Sequence, residues 1–338
     1  MSRQRSKPHV QSVSVYAASD LRVVNGANDG DTLSYAEDLM LDDVYELATD
    51  APERTLRLVA DRIPPYRVAR DSDIGTPGAD LYLDACLTFM TPQGDTTEAL
   101  ILVEVTTNGN AAAVYLMPLS PLAPKTGLTL VGISPEAALQ KFAQMACVSF
   151  TAGTHITMAT GEQRRVEDLK IGDRVLTRDA GPQEIRWLGQ TTLRATGSFA
   201  PVLIRAGVLN NLGDLRVSPD HRLFIYQRND ELGAGRAELL VRARHLVNGD
   251  SVRFDPGGFV DYYQMLFDQH QIVFAEGIAV ESMMVDSRTS AALPPEMQAA
   301  LDQLLPGHSQ TSHDDLEVER KLLRGADTAD RLRRSSTG

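Results

Sequence analysis

The feature that most constrains the fold is the density of short apolar segments separated by turn-forming residues. Between Ser149 and Ser287 these segments are only four or five residues long and alternate with glycine, aspartate and asparagine turns. Segments this short are typical of strands rather than of helices that bury one face. The pattern predicts a compact all-β module. The clearest segments are residues 174–177, 185–188, 201–205, 222–226 and 271–275.

The first half of the chain also has a β pattern, with longer apolar runs. Leu81, Leu83, Ala85 and Leu87 alternate with polar or amphipathic residues, which places them on one face of a strand. We therefore expect a β-rich domain over residues 15–146, preceded by a flexible tail, residues 1–14. The remaining apolar runs are residues 56–60, 99–105 and 113–117, and the acidic segment 35–45 is compatible with a short amphipathic helix.

A helix is predicted at the end of this first domain, over residues 134–146. Ser134 is a good N-cap, Pro135 suits the first helical position, and Glu136 complements the helix dipole. The helix leads directly to Cys147, where we place the domain boundary. The second domain is expected over residues 147–287.

Two short motifs in the second domain carry candidate catalytic residues. The first runs Cys147-Val-Ser149-Phe-Thr-Ala-Gly-Thr154, with a hydroxyl nucleophile, Ser149, in a strand-like run. The second is Ser218-Pro-Asp-His221, which pairs a hydroxyl with an imidazole. Histidine suits proton transfer because its pKa lies near neutrality.

This order of motifs resembles the opening of a Hint module, the fold shared by inteins and hedgehog processing domains, and more narrowly the bacterial Hint-2 type. The resemblance implies a horseshoe-like all-β fold for residues 147–287. It also implies an acyl shift, in which the first residue attacks the preceding carbonyl and forms an ester or thioester. The Ser218-x-x-His221 motif then takes the place of the family's Thr-x-x-His, whose histidine protonates the scissile nitrogen.

Alignment of Phe150-Thr-Ala-Gly-Thr154 on the family pattern makes Ser149 the nucleophile and Val148 the acyl donor. The family usually has cysteine at this position, and a hydroxyl is a weaker nucleophile than a thiol. Val148 is also β-branched and crowds the carbonyl under attack. Both departures predict slow processing. Cys147 is the alternative nucleophile, if two additional residues are accommodated before Phe150.

The end of the domain lacks the His-Asn pair with which inteins release their second bond. Full splicing is therefore not expected, whereas transfer to an external nucleophile, as in the hedgehog type, is compatible with this ending. His270 and Glu276 are secondary candidates for acid or base catalysis, with a satisfied turn or surface residue as the alternative for each. His245 lies in a segment that also resembles the family, but it suggests no role.

Composition excludes several classes of function. The net charge of −12 argues against a nucleic-acid partner. The two cysteines form no metal-binding or disulfide pattern, and the spacing of His221, His245 and His270 fits no zinc site. We expect no cofactor and no metal. The absence of a Sec-type signal and of a membrane span predicts a cytoplasmic protein, or one exported without a Sec signal peptide.

The last part of the chain, residues 288–338, is expected to be a helical or flexible tail, with helices over 295–305 and 314–334. Taken together, the sequence predicts a mainly β protein whose Hint-type module follows a β-rich domain. Two hypotheses remain for its function. One is autocatalytic self-cleavage by an acyl shift at Val148–Ser149, followed by hydrolysis or transfer to an external acceptor. The other is a non-catalytic scaffold or interaction module.

Overall fold

The computed structural model describes residues 10–59, 65–285, 289, 293, 316–318, 320–323, 325 and 327–337. The chain divides into two compact units, Met1–Gln144 and Met145–Gly338. Both are built mainly of strands, which confirms the predicted fold class. In the described part of the chain, no helix has both the length and the apolar character that a membrane span requires.

The N-terminal unit contains strands β1 to β9 and helix α1. In β6, Leu81 and Leu87 are fully buried, whereas Tyr82 between them is exposed, as alternation along a strand predicts. The strands are β1 Val10–Ala17, β2 Leu21–Asn25, β3 Val44–Leu47, β4 Arg54–Val59, β5 Tyr66–Val68, β6 Asp80–Met90, β7 Thr96–Val105, β8 Ala111–Pro118 and β9 Leu128–Ser134, and α1 is Pro135–Ala146.

Six of the described strands close into an antiparallel barrel. The ring runs β1, β4, β5, β6, β7, β8 and back to β1, and the long β6–β7 pairing completes it. Strands β9, β3 and β2 continue from β6 as an extension of the same sheet. Closure pairs the backbone groups that an open sheet would leave at its edges. The core beneath the extension includes Tyr45 and Phe89, whose rings meet edge to face at 5.9 Å.

Two expectations for this unit need correction. Strand β1 begins at Val10, so residues 10–14 are not a loose tail. The reason is that Val13 and Val15 alternate into the core while β1 pairs with β4. The acidic segment 35–45 contains a single 3-10 turn, Ala36–Asp38, and then enters β3. Helix α1 forms as predicted, and the Ser134 hydroxyl caps it by accepting the N–H of Ala137 at 3.3 Å.

The C-terminal unit contains two antiparallel sheets of short strands. One has the order β15-β21-β10-β17-β16-β20, and the other has the order β12-β11-β22-β23-β18-β19, with β13 and β14 attached through β22. The strands are β10 Phe150–Thr151, β11 His155–Thr157, β12 Gln163–Arg165, β13 Arg174–Thr177, β14 Gly181–Glu184, β15 Trp187–Arg194, β16 Val202–Ile204, β17 Leu215–Val217, β18 Arg222–Tyr226, β19 Glu238–Arg242, β20 Val252–Phe254, β21 Phe259–Leu266, β22 Ile272–Ala275 and β23 Ile278–Glu281.

Strand β10 is very short, but its position organises the site. Phe150 pairs with Val217 of β17 on one side and with Tyr263 of β21 on the other. This double pairing places the residue before β10, Ser149, beside the turn that follows β17 and beside the inward face of β21. Phe150 itself is buried in the main apolar core of the unit.

The end of the chain packs on this same unit. Helix α2, Thr328–Thr337, buries Leu332 completely, and Val318 and Leu323 join the core that contains Phe150. A helical or flexible tail was expected here; its described end is helical and is packed against the core. The expected helix over 314–334 is wrong at its start, because Glu317 forms a strand-like bridge to Leu240 of β19. The helix expected over 295–305 lies outside the described residues.

Candidate functional site

The turn Ser218–His221, between β17 and β18, carries two of the predicted site residues. The His221 N–H donates to the Ser218 carbonyl at 3.0 Å and closes the turn, with Pro219 at the position where its fixed φ is favourable. The 3-10 turn that follows β19 holds this turn from outside, because Ala243 N donates to His221 O at 2.9 Å. The backbone thus fixes where both side chains point.

The Ser218 hydroxyl connects the peptide groups on either side of Val148. It accepts the Ser149 N–H at 3.0 Å and donates to the Cys147 carbonyl at 3.2 Å. In addition, the Ser218 N–H donates to the Ser149 carbonyl at 3.0 Å. Ser149 and Ser218 are both buried, so these bonds are shielded from water.

His221 is completely buried between two backbone carbonyls. Its Nδ1 lies 3.1 Å from the Ser149 oxygen, and its Nε2 lies 2.9 Å from the Glu281 oxygen. The edge of its ring packs against Phe150, with the centroids 4.7 Å apart. Burial lowers the pKa of His221, and the two carbonyl contacts oppose that shift without cancelling it. A neutral imidazole donates from one nitrogen only, so one carbonyl faces a lone pair.

Gln264 is a site residue that the sequence reasoning missed. Its Nε2 donates to the Ser149 hydroxyl oxygen at 2.8 Å. Gln264 lies on β21 between the buried residues Tyr262 and Leu266, which share its face of the strand. A polar residue at a buried position of a strand usually has a specific partner, and that signal was present in the sequence.

Cys147 contributes its backbone to the site rather than its thiol. The side chain is buried in an apolar cluster with Leu266, Met283 and Val285, whereas the carbonyl accepts from Ser218. The structure therefore brings Ser149, Ser218 and His221 together, whereas the Cys147 side chain packs in the apolar cluster.

A charged network that the sequence reasoning also missed lies beside these residues. Arg222 pairs with the Glu281 carboxylate and, at 3.3 Å, with Glu317. Arg242 pairs with Glu317 at 2.6 Å and with Asp220 at 3.1 Å. Burial alone would raise the pKa of Asp220. The positive charges of Arg244 and, next, Arg242 lower it by a larger amount, so the net shift of the pKa is downward.

A small cavity of about 30 Å³ lies next to the candidate scissile residue. This volume is large enough for a water molecule. Val148, whose carbonyl is the candidate site of attack, lines this cavity together with Arg222 and Arg242. The lining residues are Val148, Asp220, Arg222, Arg242, Glu281, Ser282, Met284 and Thr289.

The secondary candidates lie elsewhere or have other partners. Glu276 forms a two-residue hairpin turn with Gly277, both at positive φ, and its carboxylate accepts the His155 N–H at 2.8 Å. The His270 Nε2 is 3.5 Å from a carboxylate oxygen of Glu281. Among the described residues, no group of three His, Cys, Asp or Glu side chains is arranged to hold a metal ion.

A comparison with protein families matches residues 148–287 to the family described as "Hint domain". This segment of the chain is a Hint domain. No curated protein matches the chain. Among solved structures, a variant of the Ssp DnaB mini-intein is 14% identical with a TM-score of 0.26, covering 41% of this chain and 97% of that chain. The gp41-1 intein is 9% identical with a TM-score of 0.25, covering 39% and 97%.

The Hint domain begins, by this match, at Val148, one residue before Ser149. Its first strand, β10, and the turn Ser218–His221 are therefore inside the matched segment, as are Gln264 and Glu281. Glu317 lies beyond it. The network around Arg222 and Arg242 thus combines residues of the Hint domain with a residue from the end of the chain.

Proposed function

We propose that the Hint domain cleaves its own chain between Val148 and Ser149 through an ester on Ser149, without splicing. The observation that supports this most directly is the double hydrogen bond of the Ser218 hydroxyl. It accepts from the nitrogen of the Val148–Ser149 bond at 3.0 Å and donates to the carbonyl of Cys147 at 3.2 Å. A hydroxyl residue from a distant turn therefore holds the peptide on both sides of Val148.

In the first step, the Ser149 Oγ attacks the Val148 carbonyl carbon. A C–O bond forms, the C–N bond breaks, and the hydroxyl proton is transferred to the Ser149 nitrogen, which becomes a free amine. His221 is suited to carry this proton because its Nδ1 contacts the same residue, at the Ser149 carbonyl, 3.1 Å away. Its lowered pKa keeps the ring neutral near pH 7, so it can first accept the proton.

In the second step, a water molecule attacks the ester carbonyl of Val148. A new C–O bond forms, the Ser149 oxygen leaves and regains a proton, and Val148 becomes a free carboxylic acid. The cavity beside Val148 supports this step, since its volume of about 30 Å³ suits water and not a large acceptor.

Intact mass of the purified chain tests the proposal directly. The chain is incubated near neutral pH with and without hydroxylamine, which opens esters faster than water does. We expect a fragment ending at Val148, formed faster with hydroxylamine. Ser149→Ala should abolish it, and Ser149→Cys should speed it up because the thiol is the better nucleophile.

Cys147→Ala is the matched control, since the Cys147 thiol is in an apolar cluster outside the site. It should leave cleavage at Val148–Ser149 in place. A fragment ending at residue 146 that disappears in this variant would move the nucleophile to Cys147. Cleavage that persists in Ser149→Ala would contradict the proposal.

Two observations favour a second function, a Hint fold retained as a non-catalytic scaffold. The Ser149 hydroxyl accepts its hydrogen bond from the amide of Gln264, and an amide is not a base that can remove the hydroxyl proton. In addition, His221 faces the carbonyl of Ser149 and not its nitrogen. A scaffold would give an unbroken chain in every condition, including prolonged incubation with hydroxylamine.

A further inference from the structure

Arg222 and Arg242 of the Hint domain both form hydrogen bonds with the carboxylate of Glu317, which lies outside the matched segment. The Arg242 guanidinium donates from Nε to one Glu317 oxygen at 2.6 Å and from a terminal nitrogen to the other at 3.2 Å. A terminal nitrogen of Arg222 reaches the second oxygen at 3.3 Å. This fork-like geometry is specific for planar carboxylates.

The backbone around Glu317 is held independently of its carboxylate. Glu317 bridges Leu240 of β19 in parallel fashion, and the Val318 N–H donates to the Leu240 carbonyl at 2.9 Å. The Arg236 side chain donates to the Glu317 carbonyl at 2.7 Å. The segment 316–318 therefore stays on β19 through backbone hydrogen bonds and the Arg236 contact. Shortening the Glu317 side chain would remove one carboxylate from each arginine without removing the segment, while Arg222 keeps Glu281 and Arg242 keeps Asp220.

The same two arginines line the cavity that reaches Val148. Arg222 and Arg242 therefore contact Glu317 and also form part of the wall of the space next to the acyl group of the proposed ester. We propose that these arginines are a carboxylate-binding site for the acyl acceptor, that Glu317 fills it in cis, and that a small amine with a carboxylate is the acceptor class it selects. This inference rests on the proposed self-cleavage for its catalytic part, whereas the carboxylate site stands on its own.

The transfer step is balanced without any further reactant. The amine nitrogen of the acceptor attacks the Val148 carbonyl carbon of the ester, and a C–N bond forms. The Ser149 oxygen leaves and takes up the proton that the amine loses. While Glu317 occupies the arginines, an acceptor's carboxylate has no partner there, and water remains the favoured nucleophile.

Thermal unfolding of the full chain tests the carboxylate site without any need for cleavage. Glu317→Ala should lower the unfolding temperature, and acetate should restore most of the loss. Chloride at the same ionic strength should not, because it screens charges but does not match the fork. Glu317→Gln fills the same space, so acetate should leave it unchanged. Asp330→Ala removes an exposed carboxylate that pairs with Arg333 and should respond to neither salt.

If Glu317→Ala does not fold in chloride, the yield of folded protein on refolding in acetate becomes the readout. Glu317→Asp, whose side chain is one methylene shorter, is the second variant. Its unfolding temperature should lie between those of the native chain and Glu317→Ala. Equal effects of acetate and chloride on both variants would overturn the carboxylate site.

Mass analysis of the cleaved chain tests the acceptor. With Glu317→Ala, glycine should give an amide adduct of the fragment ending at Val148, at least about tenfold more than glycinamide does, since a charge-assisted pair is lost without the carboxylate. The native chain should give hydrolysis with both. Equal adducts from glycine and glycinamide would overturn the acceptor role. Acetate rescue with no cleavage in any condition would refute the proposed function and the acceptor role, and would leave the carboxylate site standing.

Discussion

His221 and Arg222 are adjacent in the chain, but their side chains enter two differently built polar environments. The His221 ring lies between the backbone carbonyls of Ser149 and Glu281. The Arg222 guanidinium lies between the carboxylates of Glu281 and Glu317. Glu281 contacts both residues: its backbone carbonyl oxygen contacts His221, and its carboxylate pairs with Arg222.

The difference between the two environments follows from the protonation chemistry of each side chain. Imidazole can become neutral when it is buried, so backbone dipoles are sufficient partners. Guanidinium keeps its charge in proteins, so burial requires carboxylates close by. The histidine environment is therefore adjustable by pH, whereas the arginine environment depends on every charged partner being present.

The largest expected effect comes from Arg222→Met, which removes the guanidinium from the buried Glu281 carboxylate and from the partly buried Glu317 carboxylate. We expect a loss of about 3–5 kcal/mol in the free energy of unfolding, since breaking a buried pair leaves uncompensated charge. Urea denaturation measures it. The control is Arg186→Met, because Arg186 makes a similar two-bond contact with Asp268 at the surface, at 2.9 Å for each bond. That change should cost far less stability, because an exposed ion pair is screened by solvent. Equal losses of unfolding free energy in Arg222→Met and Arg186→Met would show that burial of Arg222 does not make its ion pairs more important for stability.

His221→Gln is the corresponding change on the histidine side. Glutamine can still donate a hydrogen bond but cannot carry a proton through the acyl shift. We expect the rate of cleavage at Val148–Ser149 to fall about a hundredfold, with a smaller loss of stability than Arg222→Met causes. The release of the fragment, followed by mass over time, gives the rate. An unchanged rate with native stability would show that the ring is only structural.

The pH dependence of stability separates the two environments further. Burial lowers the pKa of His221 below its ordinary value of 6.5. The unfolded chain then binds the proton first, so stability is full above pH 6.5 and falls as the pH drops below it. Between pH 7.5 and 5.5 the loss from this residue is at most about 1.4 kcal/mol.

Urea unfolding of the native chain and of His221→Gln at these two pH values checks the sign. The variant should lose less stability on acidification than the native chain. If the native chain gained stability relative to the variant at pH 5.5, the ring would be protonated in the folded state. The two carbonyl contacts would then outweigh the burial.

The same contrast explains what the sequence could predict. Ser149, Ser218 and His221 belong to short motifs in which neighbouring residues carry the signal, and strand alternation placed residues such as Leu81 and Leu87 on the buried face. The contacts of Gln264 with Ser149 and of Glu317 with Arg222 join residues 115 and 95 positions apart. No local pattern reports such pairs, because they depend on which strands become neighbours.

The fold shows the same limit. Short strands and turns were predictable from local periodicity, but closure of the barrel depends on the pairing of β1 with β8 and of β6 with β7 around a ring. The extended path at Glu317 was also missed, since the acidic start and basic end of residues 314–334 favoured a helix. The bond from Val318 to the edge of β19 prevails over that local preference.

The smallest expected effect concerns Gln264, which extends the backbone-built environment to the Ser149 hydroxyl. Gln264→Met keeps the length of the side chain but removes the 2.8 Å bond. Losing one neutral hydrogen bond should cost about 1 kcal/mol of stability. Because the Ser149 hydroxyl is then no longer held in place, the rate of cleavage at Val148–Ser149 should fall, by a factor of less than about ten. Gln190→Met, at an exposed position on β15, is the control and should change neither quantity. If cleavage instead stopped in Gln264→Met while the fold remained stable, the amide would be a catalytic residue. In that case it would stabilise the oxygen as it attacks Val148, and the scaffold interpretation of its contact with Ser149 would lose its main support.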